Sequence, residues 1–209
     1  MPLTAEQGFK IREEKAGIKE KEMCDAHNLI WVGGSRTKID GKDEKNRTSI
    51  KQAGGKSTQV HLTTQKHFKK VLSITGNAAE FIHHFCGNAD YNYQGKDRRH
   101  IPEINTEYVE AFALFLNENT EKIVDLIIRN GDDITSVIYH NTKSNVEYEM
   151  TYPEILDKIE GAEWKFLKGG VHLKLNGNTL FHFQREGKKS KSNRYNVLWH
   201  IHQTLFVWL

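Results

Sequence analysis

The sequence predicts a mixed α+β fold, α/β in the broad sense, and three patterns predict it. Residues 105 to 131, NTEYVEAFALFLNENTEKIVDLIIRNG, place apolar side chains at helical spacing, with Asn105 or Thr106 able to cap the start and Gly131 following the end. From residue 134 the period becomes strand-like, in ITSVIYHNT and then VEYEMTY. Asn176-Gly177, inside VHLKLNGNTLFHFQRE, is a strong signal for a two-residue hairpin. Helix, hairpin, helices and further strands, in that order, set the class.

The elements follow along the chain. Residues 5 to 23 read as an amphipathic helix with Phe9, Ile11, Ala16 and Ile18 as sparse apolar contacts. LIWVGG is a short apolar run closed by glycines, the pattern of a buried strand or a packed connection. In RTKIDGKDEKNRTSIKQ two extended stretches surround a polar GKDEKN turn, which reads as a β-hairpin, and TQVHLTT continues as an extended piece after the AGGKS loop. Residues 66 to 86 look helical, with an apolar face of Ala79, Ile82, Phe85 and Cys86. The helical stretch after residue 105 is expected to break near Asn117 to Asn119. PEILDKIEG is a short helix, and YNVLWHIHQTLFVWL an apolar strand ending the sequence. No linker interrupts this order, so one domain over 1–209 is expected, with a hairpin region at 33–65 and a C-terminal strand region at 165–209.

Composition narrows the function classes. With 37% hydrophobic residues in 209, the chain can bury one compact core. No run of eighteen apolar residues exists, so a membrane-spanning helix is not expected. The opening MPLTAEQGFKIREEK has no apolar signal core, and two cysteines, Cys24 and Cys86, cannot make a disulfide framework, so a cytoplasmic location is expected. The net charge of +3 conceals a strong asymmetry. Residues 33–70 hold ten Lys/Arg against three Asp/Glu, residues 164–209 eight against one, and residues 101–163 four against fourteen. Two basic segments that share a face would grip phosphates; an ordinary solvated surface is the alternative.

The chemistry concentrates in SRTKIDGKDEKNRTSIKQAGGKSTQVHL. Asp40 ends one predicted strand and Lys51 lies on the next, so the two can converge across a hairpin. A carboxylate there can bind a hard divalent cation, and a lysine beside it can orient or deprotonate water, the minimum for metal-assisted phosphodiester hydrolysis. The alternative is a cross-strand ion pair that only stabilises the hairpin.

An Asp followed on the next strand by x-x-Lys, here T-K-I-D at 37–40 with S-I-K at 49–51, resembles the PD-(D/E)xK nuclease superfamily of restriction enzymes, some homing endonucleases and resolvases. The resemblance implies a restriction-endonuclease-like core, a central mixed sheet flanked by helices. It implies a Mg²⁺-dependent DNA endonuclease, with Mn²⁺ as a substitute, that cuts double-stranded DNA sequence-specifically and leaves a 5′-phosphate, in a prokaryotic or phage-encoded setting. On that likeness Asp40 holds the metal, the carbonyl of Ile50 faces it, Lys51 positions or activates water, and Gln59 lies near the scissile phosphate. Ile39 stands in place of the motif's proline, and Ser49 in place of its second acid, which removes a metal ligand. Members lacking that acid often recruit a Glu from a preceding helix, and Glu14, or Glu13, is the candidate.

Lys38, Lys42, Lys45, Arg47 and Lys56 on the hairpin and its following loop, and Arg185, Lys188, Lys189, Lys191 and Arg194 in REGKKSKSNRYN, are the expected DNA contacts. The apolar LFVWL suggests burial in the core or in a second copy, hence a homodimer. Two rival functions stand beside the nuclease. One is a non-catalytic nucleic-acid-binding protein, favoured by Ser49. The other is a zinc-stabilised module built on Cys24, His27, His83 and Cys86, with packing as the plainer role for those residues and for His200 and His202, while His61, two residues beyond Gln59 on the same strand face, is a minor active-site candidate.

Overall fold

A computed structural model describes residues 17–32, 37–88, 97–186 and 195–207. A helix over residues 17–26 (α1) leads into two short strands, Ile30–Trp31 (β1) and Gly41–Lys42 (β2), and two longer ones, Arg47–Ala53 (β3) and Ser57–Thr63 (β4). Helices Gln65–Val71 (α2), Gly76–Cys86 (α3), Thr106–Glu118 (α4) and Thr120–Ile128 (α5) follow. Strands Ser136–Asn141 (β5) and Val146–Thr151 (β6) precede helix Tyr152–Ile159 (α6). The last strands are Glu163–Leu167 (β7), Gly170–Leu175 (β8), Asn178–Arg185 (β9) and Val197–His202 (β10).

The mixed α+β class is as expected, and the strands divide between two five-stranded sheets. The first, in the order β1-β2-β3-β5-β6, is mixed: β3 and β5 run parallel and the other pairs antiparallel. The second, β4-β10-β9-β8-β7, is antiparallel throughout. The chain crosses from one sheet to the other between β3 and β4, through residues 54–56.

Local chemistry explains the turns. Asp43 closes the β2–β3 hairpin by accepting the amides of Lys45 at 2.7 Å and Asn46 at 2.6 Å. Asn176 and Gly177 both take positive φ, 49° and 82°, as a tight hairpin between β8 and β9 requires. The break between α4 and α5 falls at Asn119, whose side-chain amide donates to the Phe115 carbonyl. Thr151 and Glu154 form a reciprocal capping box that starts α6. The helix expected over 66–86 is two helices, because Ser73 enters the left-handed region at φ 55° and ends the first.

The main core joins α2 to α6 to the second sheet and to one face of the first, with Phe68, Phe81, Phe85, Phe112, Phe183 and Trp199 fully buried. A small second cluster, Met23, Cys24, Leu29, Ile50 and Ile138, packs α1 on the other face of the first sheet. Strand alternation lets β3 serve both, through Ala53 and Ile50 respectively. Gly41 makes the α1 contact possible: a Cβ there would lie 2.7 Å from Cys24 Sγ and 3.1 Å from Leu29 Cβ.

Several expectations are corrected. Ile30 and Trp31 are exposed rather than buried, because β1 is a two-residue edge strand paired only with β2. Ile18 points away from the core, and α1 is anchored by Met23 and Cys24 instead. Phe9, Ile11 and Ala16 lie outside the described residues. Of the two placements expected for the apolar C-terminal run, Leu205 and Phe206 take the chain's own core, with Phe206 stacked on Tyr139 at 5.1 Å. Among the described residues no helix is long and apolar enough to cross a membrane.

Candidate active site

The hairpin register brings Asp40 opposite the start of β3. The Asp40 amide donates to the Thr48 carbonyl at 2.9 Å, extending the ladder in which Gly41 faces Thr48 and Lys42 faces Arg47. Ile39 packs on the main core, which fixes the neighbouring carboxylate at the sheet surface. Asp40 Oδ2 then accepts three donors from one stretch of β3: the Ile50 amide at 2.6 Å, Ser49 Oγ at 3.2 Å and Lys51 Nζ at 3.5 Å. Lys51 Nζ also donates to the Ile50 carbonyl at 3.3 Å, so the ammonium bridges the carboxylate and a main-chain oxygen. Both side chains of the Asp40–Lys51 pair are largely shielded, about 15% exposed.

A second carboxylate, Glu20 on α1, lies close enough to feel the charges of Asp40 and Lys51. Burial and, next, the charge of Asp40 push the Glu20 carboxyl up, while Lys51 opposes them. Neither Glu20 nor Asp40 Oδ1 has a hydrogen-bond partner among the described residues. Asp40 keeps one carboxylate oxygen clear of donors, and Glu20, destabilised as an anion, lies within reach of its charge. Oxygen donors of that kind suit a hard divalent cation, whose charge would relieve the repulsion between them.

Lys38 lies beside the site but faces inward. Its ammonium donates to the carbonyls of Val60, on β4, and of Ile127, at the end of α5, at 3.4 Å for the latter. Burial, then Lys51, push its pKa down to about 8 against the pull of Asp40 and Asp132. The expected DNA contact at Lys38 is therefore corrected: the side chain ties the hairpin to the second sheet. His61 is buried nearby with Nε2 unpartnered, and burial, then Lys38, depress its pKa to about 4.

The remaining candidates fall in different places. Lys42, Lys45, Arg47, Lys56 and Gln59 are exposed, and Arg47 pairs with Asp133 at 3.0 Å. Gln59 lies on β4 in the second sheet, opposite His200, and is not among the hydrogen-bond partners of Asp40 or Lys51. Arg185 is corrected from a groove contact to a structural tie: its guanidinium donates to the Arg99 carbonyl at 2.6 Å and lies over the Phe85 ring. Glu13, Glu14, Lys188, Lys189, Lys191 and Arg194 lie outside the described residues. Sequence spacing could not single out Glu20, because several glutamates precede the hairpin and only the packing of Met23 and Cys24 decides which of them feels the charge of Asp40.

The zinc arrangement does not form. Cys24 belongs to the small cluster and Cys86 to the main core, His27 pairs with Glu147 at 3.0 Å, and His83 meets Asn88. Among the described residues no three His, Cys, Asp or Glu side chains are gathered so as to hold a metal ion.

No protein-family model matches the chain, and no curated protein matches it. A solved structure of the restriction endonuclease MspI in complex with its cognate DNA is similar to it, with a TM-score of 0.48 and 11% sequence identity. That match covers 82% of this chain, which spans 66% of the length of the other.

Proposed function

We propose that the protein is a divalent-cation-dependent DNA endonuclease working at Asp40, Glu20 and Lys51. The observation that supports this reading is the meeting of Asp40 and a shielded Lys51 beside the Ile50 main chain, with one Asp40 oxygen locked by three donors, the other left open, and Glu20 near enough to feel both charges. The hairpin order, Asp40 then Ser49-Ile50-Lys51, is the same one that resembles the PD-(D/E)xK nucleases. Mg²⁺ bound there, or Mn²⁺ in its place, would supply charge to a phosphate oxygen and acidify water. Asp40 and Glu20 would hold that cation with the Ile50 carbonyl, and Lys51 would orient the attacking water and the phosphate. Exposed Lys42 and Lys56 would contact the DNA backbone.

Incubation of supercoiled plasmid with Mg²⁺ tests the reading. Nicked or linear product from the native protein, lost in Asp40→Asn and Lys51→Ala, is the expected result. A second reading, DNA binding without cleavage, is favoured by Ser49. That residue is fully buried and spends its hydroxyl on Asp40 Oδ2, where a second acid would otherwise offer an oxygen. Retention of plasmid with no cleavage under Mg²⁺ or Mn²⁺ would select it.

A further inference from the structure

Away from Asp40, the outer face of the second sheet carries a row of imidazoles. Lys165, His172, His182, His200 and Gln59 occupy one cross-strand row over β7, β8, β9, β10 and β4, and His202 lies two residues beyond His200 on the same face. The His172 and His182 rings stack at 5.1 Å, and those of His182 and His200 at 4.5 Å, each at 15°. Stacked rings aim their lone pairs in parallel planes, so they do not converge on one ion. They are instead wired by hydrogen bonds.

The wiring has a direction. Gln184 Oε1 lies 3.2 Å from His182 Nε2, so that nitrogen donates. His182 Nδ1 is then the acceptor, and His202 Nε2 donates to it across 2.6 Å. Gln184 Nε2 donates to His200 Nε2 at 3.1 Å, which places the His200 proton on Nδ1, a buried atom without a partner. With His182 and His200 neutral, as their burial favours, these bonds fix the proton positions of both rings and make His202 Nε2 a donor. A proton added at His182 can be absorbed only if His202 exchanges its tautomer, and a second sets N–H against N–H.

The surroundings offer no compensation. The groups that face the row are His172 and Lys174 on β8, Gln184 on β9, Ser57 and Gln59 on β4, Thr179 at the start of β9, and Lys165, paired with Glu163, on β7. None of the four rings touches a carboxylate among the described residues. His61 on β4 faces the core instead. Burial, then the neighbouring imidazoles, hold His200 and His202 near pKa 4. His172 is near 4 through burial, His182 and Lys174, and His182 is lowered by burial against its Gln184 bond.

We propose that the His172–His182–His200–His202 row is an acid-sensitive latch that holds β10 between β4 and β9 when its rings are neutral and releases β10 when they are protonated. The consequence is local, because β10 is the strand that joins β4 to the rest of the second sheet.

The test is nuclear magnetic resonance on the full chain. In ¹⁵N spectra of the imidazoles at pH 7.5, the expected tautomers are Nε2–H for His182 and His202 and Nδ1–H for His200, with titration delayed below pH 5. Amide protection in β10, corrected for intrinsic exchange, should fall roughly ten-fold or more between pH 7.5 and 5, ahead of β3 and β5. In His182→Gln that early loss should disappear. Averaged tautomers titrating near the usual histidine value would overturn the proposal, as would loss of protection in β10, β3 and β5 together. If His182→Gln does not fold, the two measurements on the native chain still decide.

Discussion

The Ile50 amide donates to Asp40 Oδ2 at 2.6 Å, so the main chain of β3 holds the carboxylate that Lys51 approaches from the same strand. A carboxylate anchored by a backbone amide cannot swing away when its ionic partner is lost. The geometry of the site is therefore carried by the hairpin, and side-chain substitutions there can separate chemistry from folding.

Asp40→Asn is the sharpest of these. The amide oxygen can still accept from the Ile50 amide while the charge is gone. We predict a fall of about 10²-fold or more in Mg²⁺-dependent plasmid cleavage, with retention of plasmid in gel shift preserved. Native-like cleavage by this variant would remove Asp40 from the mechanism.

Glu20→Gln should act on stability in the opposite sense from most buried polar changes. The folded-state pKa of Glu20 is raised, so the folded chain keeps its proton to higher pH than the unfolded chain does. Its contribution is favourable while the carboxyl is protonated and is lost as pH rises from the ordinary glutamate value through the raised one. In chelator at pH 7 the variant is expected to melt above the native protein, with the gap closing towards pH 4. A lower melting temperature at pH 7 would contradict the repulsion between Glu20 and Asp40.

The two exposed lysines differ from the inward one. Lys42→Ala and Lys56→Ala should each reduce the slope of log affinity against log salt by about 0.9 while leaving the melting temperature unchanged. Lys38→Met should instead destabilise the fold, since its ammonium serves the Val60 and Ile127 carbonyls. Fluorescence anisotropy with a DNA duplex at several salt concentrations, beside thermal melts, distinguishes the two behaviours.

Gly41→Ala places a methyl 2.7 Å from Cys24 Sγ. A loss of about 1–3 kcal/mol in urea unfolding is expected from the overpacking. Cys24→Ala in the same chain should restore part of it, and additive losses in the double variant would show that the thiol is not the obstacle.

His61 gives a pH effect of known sign. Its folded pKa, about 4, lies below the usual histidine value, so the unfolded chain takes up the proton first and stability drains as pH falls from about 6.5 towards 4. His61→Leu should flatten that part of the profile in urea titrations at pH 7, 5.5 and 4.5. An unaltered slope would mean that the ring is charged in the fold.

How far the sequence carried these results varies by element. The β2–β3 hairpin, the Asn176-Gly177 turn, the Asn119 break and α6 were legible because each depends on residues within a few positions of one another. The Asp40–Lys51 meeting followed from the same short range. What local pattern could not specify was partition: β4 joins the second sheet although only three residues separate it from β3, and that choice is made by its pairing with β10 far along the chain. β7 went unassigned because EWKFL is too short and too charged to show a period. The choice of Glu20 among the glutamates of α1, and the inward turn of Lys38, depend on packing at distant residues for which the spacing of charges holds no signal.

The parallel pairing of β3 with β5 has a consequence for the growing chain. Thr48 meets Ser136, 88 residues later, and Ile50 is sandwiched with Ile138 under α1. A nascent polypeptide that has emerged only as far as the hairpin holds Glu20, Asp40 and Lys51 yet lacks the strand that supports them, so the pocket around Asp40 must wait until β5 has left the ribosome. Synthesis itself thus delays completion of this strand pairing until residue 141 has been made.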